Sequence, residues 1–109
     1  MNKIVIAITG ASGAIYAKLL MDRLIMLRDQ WTELSIILTE NAKQVWKTEL
    51  DNTAYLNYPV KYFTQQDFMA PFASGSGQYN TMIIIPCSMG TLGRIAAGIS
   101  NDLISRSAD

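Results

Sequence analysis

The sequence predicts an α/β domain built on a parallel sheet, and three observations carry that expectation. The 109 residues are 50% hydrophobic and 17% charged, a composition that folds and that fills a single domain. Two short, β-branched, continuously apolar runs each lead into a segment with helical spacing. Strand–helix–strand–helix units of this size imply crossover connections and therefore parallel pairing.

The elements follow in order. Lys3–Thr9 (KIVIAIT) reads as a strand buried on both faces. Gly10-Ala11-Ser12-Gly13 breaks it, and Ala14–Arg28 turns helical, with Ala17, Leu20, Leu24 and Leu27 three and four apart. Leu34–Thr39 (LSIILT) is the second strand, and a helix over Asn41–Leu50 sets Ala42, Val45 and Trp46 on one face. Val60–Phe63 fits a short third strand. Gln65–Gly77 is a loop, because Pro71 and the Ser/Gly run forbid a long element, although Phe68, Met69, Pro71 and Phe72 need something to pack on. Thr81–Ile85 is the clearest remaining strand; Pro86-Cys87-Ser88 ends it, and a helix over Thr91–Ala97 stops at Gly98. Asn101-Asp102 caps a last helix beginning at Leu103-Ile104. No stop signal closes that helix and no fifth strand is visible, so the reading is of the front part of a larger domain.

Composition removes several function classes. Nine basic and nine acidic residues cancel, which leaves no electrostatic footprint for nucleic acid or anionic membrane. With no histidine, the chain alone cannot build a Ser-His-Asp or Cys-His nucleophile, a His-ligated metal or an imidazole acid/base. Cys87 is the single cysteine, so there is no intrachain disulfide and no cysteine-cluster zinc site, and a reducing cytoplasm is expected. Ile4–Ile8 and Met82–Ile85 are far shorter than the roughly 20 residues a membrane span needs.

Two loops carry candidate chemistry. Gly10–Gly13 joins a strand to a helix, where backbone N–H groups and the helix dipole favour an anion and Ser12 can add a hydroxyl; the alternative is a plain turn. It is not the dinucleotide fingerprint, since Ser12 stands where the second glycine is required and Tyr16 replaces the last glycine of the T-G-x-x-G-x-x-G pattern. Glu40 still sits where a ribose-binding acid would, which keeps a nicotinamide cofactor as an alternative. Ser88-Met89-Gly90-Thr91, after a buried strand, makes a second polar cradle, and together the two would frame the crevice of an open α/β sheet. Thr39 closes the second strand on that same edge, either facing a ligand or capping the next helix. Glu49 extends the apolar face of that helix beyond Val45 and Trp46. Buried there it would be costly and perturbed; otherwise it is a last-turn glutamate leaning into solvent. Cys87 reads as a small buried residue, because nothing basic adjoins it. Ser74-Gly75-Ser76-Gly77 fits a lid or a connector.

Gly10-Ala11-Ser12-Gly13-Ala14-Ile15-Tyr16, Asp67-Phe68-Met69-Ala70-Pro71, Ala73-Ser74-Gly75-Ser76, Pro86-Cys87-Ser88-Met89-Gly90-Thr91-Leu92, Asn101-Asp102-Leu103-Ile104 and Arg106-Ser107-Ala108-Asp109 resemble, in order and spacing, the UbiX-type flavin prenyltransferases. These were earlier described as aromatic-acid or polyprenyl-hydroxybenzoate decarboxylases. The resemblance implies a Rossmann-like, flavodoxin-like doubly wound sheet in three α/β/α layers, incomplete at its C-terminal end, and a homo-oligomer. It implies FMN held by Gly10, Ala11, Ser12, Thr39, Ser88, Met89, Gly90 and Thr91, with no metal. The family moves a dimethylallyl group from dimethylallyl monophosphate to N5 and C6 of reduced FMN. The prenylated FMN serves a UbiD-type decarboxylase, in routes such as ubiquinone biosynthesis. Glu49 matches a family glutamate implicated in proton handling.

A flavin that is itself the nucleophile needs no histidine. The apolar Phe68–Phe72 loop suits a prenyl pocket or, preferably, a subunit interface. Family members continue beyond Asp109 into a basic stretch and a further α/β segment that holds the prenyl phosphate. The alternatives are a non-catalytic FMN-binding or assembly module and an FMN-dependent cysteine decarboxylase; the latter would need a histidine after the second strand.

Overall fold

A computed structural model describes residues 2–73 and 79–108. Four strands, β1 (Asn2–Ile8), β2 (Trp31–Leu38), β3 (Lys61–Phe63) and β4 (Thr81–Ile84), form one sheet in the order β3-β2-β1-β4. Every pairing is parallel. Four helices accompany them: α1 (Ala14–Met26), α2 (Glu40–Leu50), α3 (Met89–Ala96) and α4 (Leu103–Ala108).

The period-two alternation of side chains sorts the strands between two cores. Ile4, Ile6 and Ile8 of β1 and Leu34, Ile36 and Leu38 of β2 face the layer of α1 and α2, meeting Ala17, Met21 and Trp46. Val5, Ala7 and Ile37 face the other side, which is covered by Ala70, Phe72 and Ala73 of the loop after β3 and by Leu103 and Ile104 of α4. The apolar loop therefore does pack, but only in part: Phe72 is buried while Met69 is 95% exposed.

Several boundaries shift from the sequence reading. β2 begins at Trp31 because Trp31 is buried against the first core while Thr32 is exposed and Glu33 half-buried at the sheet's amino edge. α1 ends at Met26, and a single 3-10 turn (Arg28–Gln30) completes the descent to β2. α3 starts two residues earlier than its spacing suggests, with Ser88 as its cap. The Ser74–Gly77 lid or connector lies outside the described residues.

The strand order positions the site. From β1 the chain moves outward through β2 to β3, then returns to the other side of β1 as β4. Connections leaving the carboxyl ends of β1 and β4 thus diverge at a switch point, where open α/β sheets bind ligands. Gly10–Gly13 and Pro86–Thr91 are those two connections.

Candidate functional site

Gly10 needs to be glycine on packing grounds. A Cβ there would lie 2.5 Å from Asn41 Cβ, so the loop after β1 rests directly on the first turn of α2. Gly13 has φ +110°, a conformation that side-chain-bearing residues avoid, and it serves as the N-cap of α1 without a side chain of its own.

The free N-terminus of α1 faces a carboxylate of the chain itself. Glu49 Oε1 accepts from the backbone N–H of Gly13 (3.1 Å) and Ala14 (3.0 Å), and Oε2 accepts from Ser12 Oγ (2.8 Å). The sequence placed Ser12 in a phosphate cradle and Glu49 on an apolar helix face; the structure joins them to each other. Glu49 is exposed, so of its two readings the last-turn glutamate at the surface holds and the costly buried carboxylate does not: the last turn of α2 carries it outward to the dipole end of α1, where an anion is stabilised. The hydrogen bond from Ala14, with those from Ser12 and Gly13, holds its carboxyl below the usual glutamate range. It is ionised at neutral pH.

Thr39 answers its capping reading and leaves its hydroxyl proton over. Its Oγ1 accepts from Ala42 N–H at 3.0 Å and caps α2, and its own N–H donates to Ile8 O at 3.3 Å, tying it beside the end of β1. Its hydroxyl proton has no acceptor among the described residues, so it can donate to a ligand while it caps.

The second loop is organised in the same way. Ser88 Oγ accepts from Thr91 N–H (3.2 Å) and donates to Thr91 Oγ1 (2.9 Å). Thr91 is buried, its amide donating to Ser88 and its hydroxyl oxygen accepting within the loop, so it shapes the loop from inside. Arg94, which the sequence reading passed over, donates from Nη2 to Thr91 Oγ1 at 3.3 Å. The only signal for it was the i, i+4 spacing from Gly90. Met89 and Gly90 are exposed at the first turn of α3, where amides have no acceptor inside the helix. Cys87 is exposed rather than buried: it follows Pro86 beyond the end of the β1–β4 ladder, outside both cores.

Thr9 joins the two loops. It is 2% exposed; its Oγ1 donates to Pro86 O at 2.5 Å and accepts from Ser88 N–H at 2.8 Å. Of the predicted residues, Ser12 and Glu49 touch, Gly10 rests on Asn41 in the first turn of the helix that Thr39 caps, and Ser88 bonds with Thr91 in the second loop. The backbone N–H groups of Gly10, Ala11 and Ser12 have no protein acceptor among the described residues. These amides, those of Met89 and Gly90, and the Thr39 hydroxyl are neutral donors on the loops and helix starts that follow the carboxyl ends of β1, β2 and β4, a set suited to an anion such as a phosphate ester. The described cavities, about 150 to 380 Å³, are lined by other residues.

A family model described as Flavoprotein matches residues 1–109. The chain belongs to the flavoprotein family. The motif resemblance to UbiX-type proteins is borne out: the flavin prenyltransferase UbiX of Methanocaldococcus jannaschii is 41% identical over 109 residues, covering 98% of this flavoprotein and 57% of that protein. A crystal structure of AnUbiX in complex with FMN and dimethylallyl pyrophosphate superposes with TM-score 0.79 at 38% identity, covering 99% of this chain and 57% of that one. A dodecameric FMN-dependent Ubix-like decarboxylase from Escherichia coli gives TM-score 0.88 at 30% identity, covering 97% and 57%. The flavodoxin-like α/β fold is therefore shown. The chain spans just over half the length of the relatives it matches.

Proposed function

We propose that residues 1–109 form the FMN-binding domain of a flavin prenyltransferase that joins a dimethylallyl group from its monophosphate to reduced FMN. The observation that carries this is the placement of unspent donors after the strands that flank the switch point: the Gly10–Ser12 amides, the Thr39 hydroxyl and the Met89–Gly90 amides. The residues fit a flavin nucleotide, which supplies the nucleophilic ring when bound. The chain's own work is to hold the phosphate ester, to orient the ring and to exclude side reactions. Ser12 would present its hydroxyl to the bound nucleotide with its orientation fixed by Glu49. Because that carboxylate is ionised in the free protein, Glu49 is positioned to accept a proton through Ser12, not to give one up.

We assign none of the 109 residues to the prenyl phosphate. Homo-oligomer formation is supported by the exposed apolar side chains Met69, Met89, Leu19 and Met26. No helix among the described residues is long and apolar enough to cross a membrane; the cytoplasm and a UbiD-type decarboxylase as recipient of the product complete the proposal. A second reading, a flavin-binding or assembly module without transferase activity, is favoured by the lack of an assigned prenyl-phosphate residue among these 109. Incubation with reduced FMN and dimethylallyl monophosphate separates them: the first reading expects prenylated flavin by mass spectrometry, the second only bound, unmodified FMN.

A further inference from the structure

We propose that Thr9 is a positioning residue that sets the two ligand-binding loops in register, so that one flavin nucleotide can engage both. This rests on the flavin reading of the crevice, and it adds a residue outside the motifs that suggested that reading.

The β1–β4 ladder stops at the Ala7–Ile84 pair, followed by one more bond from Ile85 N–H to Ala7 O at 2.9 Å. Pro86 then has no N–H to offer. Beyond that point the two chains would be free to separate, and both loops begin there. Thr9 replaces the missing ladder: its N–H donates to Pro86 O (3.3 Å), its Oγ1 donates to the same carbonyl, and that Oγ1 accepts from Ser88 N–H. A hydroxyl is the smallest group that donates and accepts at once, and a β-branched side chain suits the extended backbone here.

From Ser88 the constraint passes onward through the cap to Thr91 and Arg94, which orients the first turn of α3. On the other side, Thr9 adjoins Gly10, the first residue of the opposite loop. One buried side chain thus fixes the position of the Met89 and Gly90 amides relative to those of Gly10–Ser12, without reaching the ligand.

The test compares the wild-type chain with Thr9→Val, which keeps the shape and loses the hydroxyl, and Thr9→Ser, which keeps the hydroxyl. Two readouts are taken well below the melting temperature. Amide hydrogen exchange at Ser88, measured by NMR without ligand, should be at least about tenfold faster in Thr9→Val, while Ile6 and Ile37 amides keep their protection. The FMN dissociation constant should rise about fivefold to tenfold, the order expected for one lost buried hydrogen bond. Thr9→Ser should restore both. FMN affinity unchanged in Thr9→Val, or Ser88 exchange unchanged, overturns the proposal, as does failure of Thr9→Ser to rescue. Absence of FMN binding by the wild-type chain would overturn the flavin reading and the positioning role with it. Exchange at Ser88 needs no ligand and tells that failure apart from failure of the Thr9 clamp.

Discussion

Thr39 caps a helix and, on this account, faces the ligand, and two substitutions separate the roles. Thr39→Ala removes the Oγ1 that accepts from Ala42 N–H at 3.0 Å at a buried position. Loss of such a cap costs about 1 kcal/mol. For 109 residues, an unfolding entropy of about 2.1 cal/mol/K per residue sums to about 230 cal/mol/K, so the melting temperature should fall by about 4 °C. If the hydroxyl also donates to the phosphate ester, FMN affinity drops by a further ~1.5–3 kcal/mol, or about tenfold to a hundredfold and more. Thr39→Asp keeps a strong capping group but turns a negative charge toward the same phosphate. Its melting temperature should stay within about 2 °C of wild type while FMN binding collapses. Differential scanning calorimetry and fluorescence titration with FMN read the two effects. A Thr39→Asp variant that binds FMN as tightly as wild type would refute the placement of an anion at Thr39, and an unchanged melting temperature in Thr39→Ala would refute the cap.

Glu49→Gln should lower prenyl transfer much more than FMN affinity, measured by product formation and by titration; equal losses would make Glu49 a purely structural clasp for α1. Gly10→Ala forces a Cβ to within 2.5 Å of Asn41 Cβ and should destabilise the domain by about 1–3 kcal/mol, read as a lower urea midpoint. Asp102 should contribute to acid lability. Burial pushes its carboxyl up, but hydrogen bonds from Ser105 and Gln65 and the charge of Arg94 outweigh this and hold it below 3.8. A lowered folded-state value stabilises the native state above pH 3.8 and is lost as pH falls through that lower value. The stability gap between wild type and Asp102→Asn, which keeps a capping oxygen and removes the charge, should therefore be constant from pH 7 to about 5 and should shrink at pH 3 and below in urea titrations.

Much of this was legible because burial writes itself into local pattern. Ile4–Ile8 and Leu34–Leu38 are apolar at every position but Ser35, as strands covered on both faces must be, and Asp102 announces α4 by its capping chemistry. The switch-point loops stood out as glycine and hydroxyl residues after such strands. What stayed hidden depends on partners far apart in the chain. Nothing near Glu49 says that its carboxylate will meet Ser12, 37 residues away, nor does Thr9 advertise a bond to Ser88 across 79 residues. Trp31 was missed as a strand residue because it is buried against the first core, with its indole N–H donating to Leu24 O at 2.8 Å, tertiary contacts with no local signature.

The central claim is that a flavin nucleotide occupies the groove at the carboxyl ends of β1, β2 and β4. Backbone amide chemical-shift mapping during an FMN titration of the purified chain tests it most directly. The account predicts shifts concentrated at Gly10, Ala11, Ser12, Thr39, Met89 and Gly90, with little change at Trp31, Thr32 and Lys61, which line a cavity of about 310 Å³ at the opposite edge. Shifts centred on that opposite cavity, or none at saturating FMN, would contradict it.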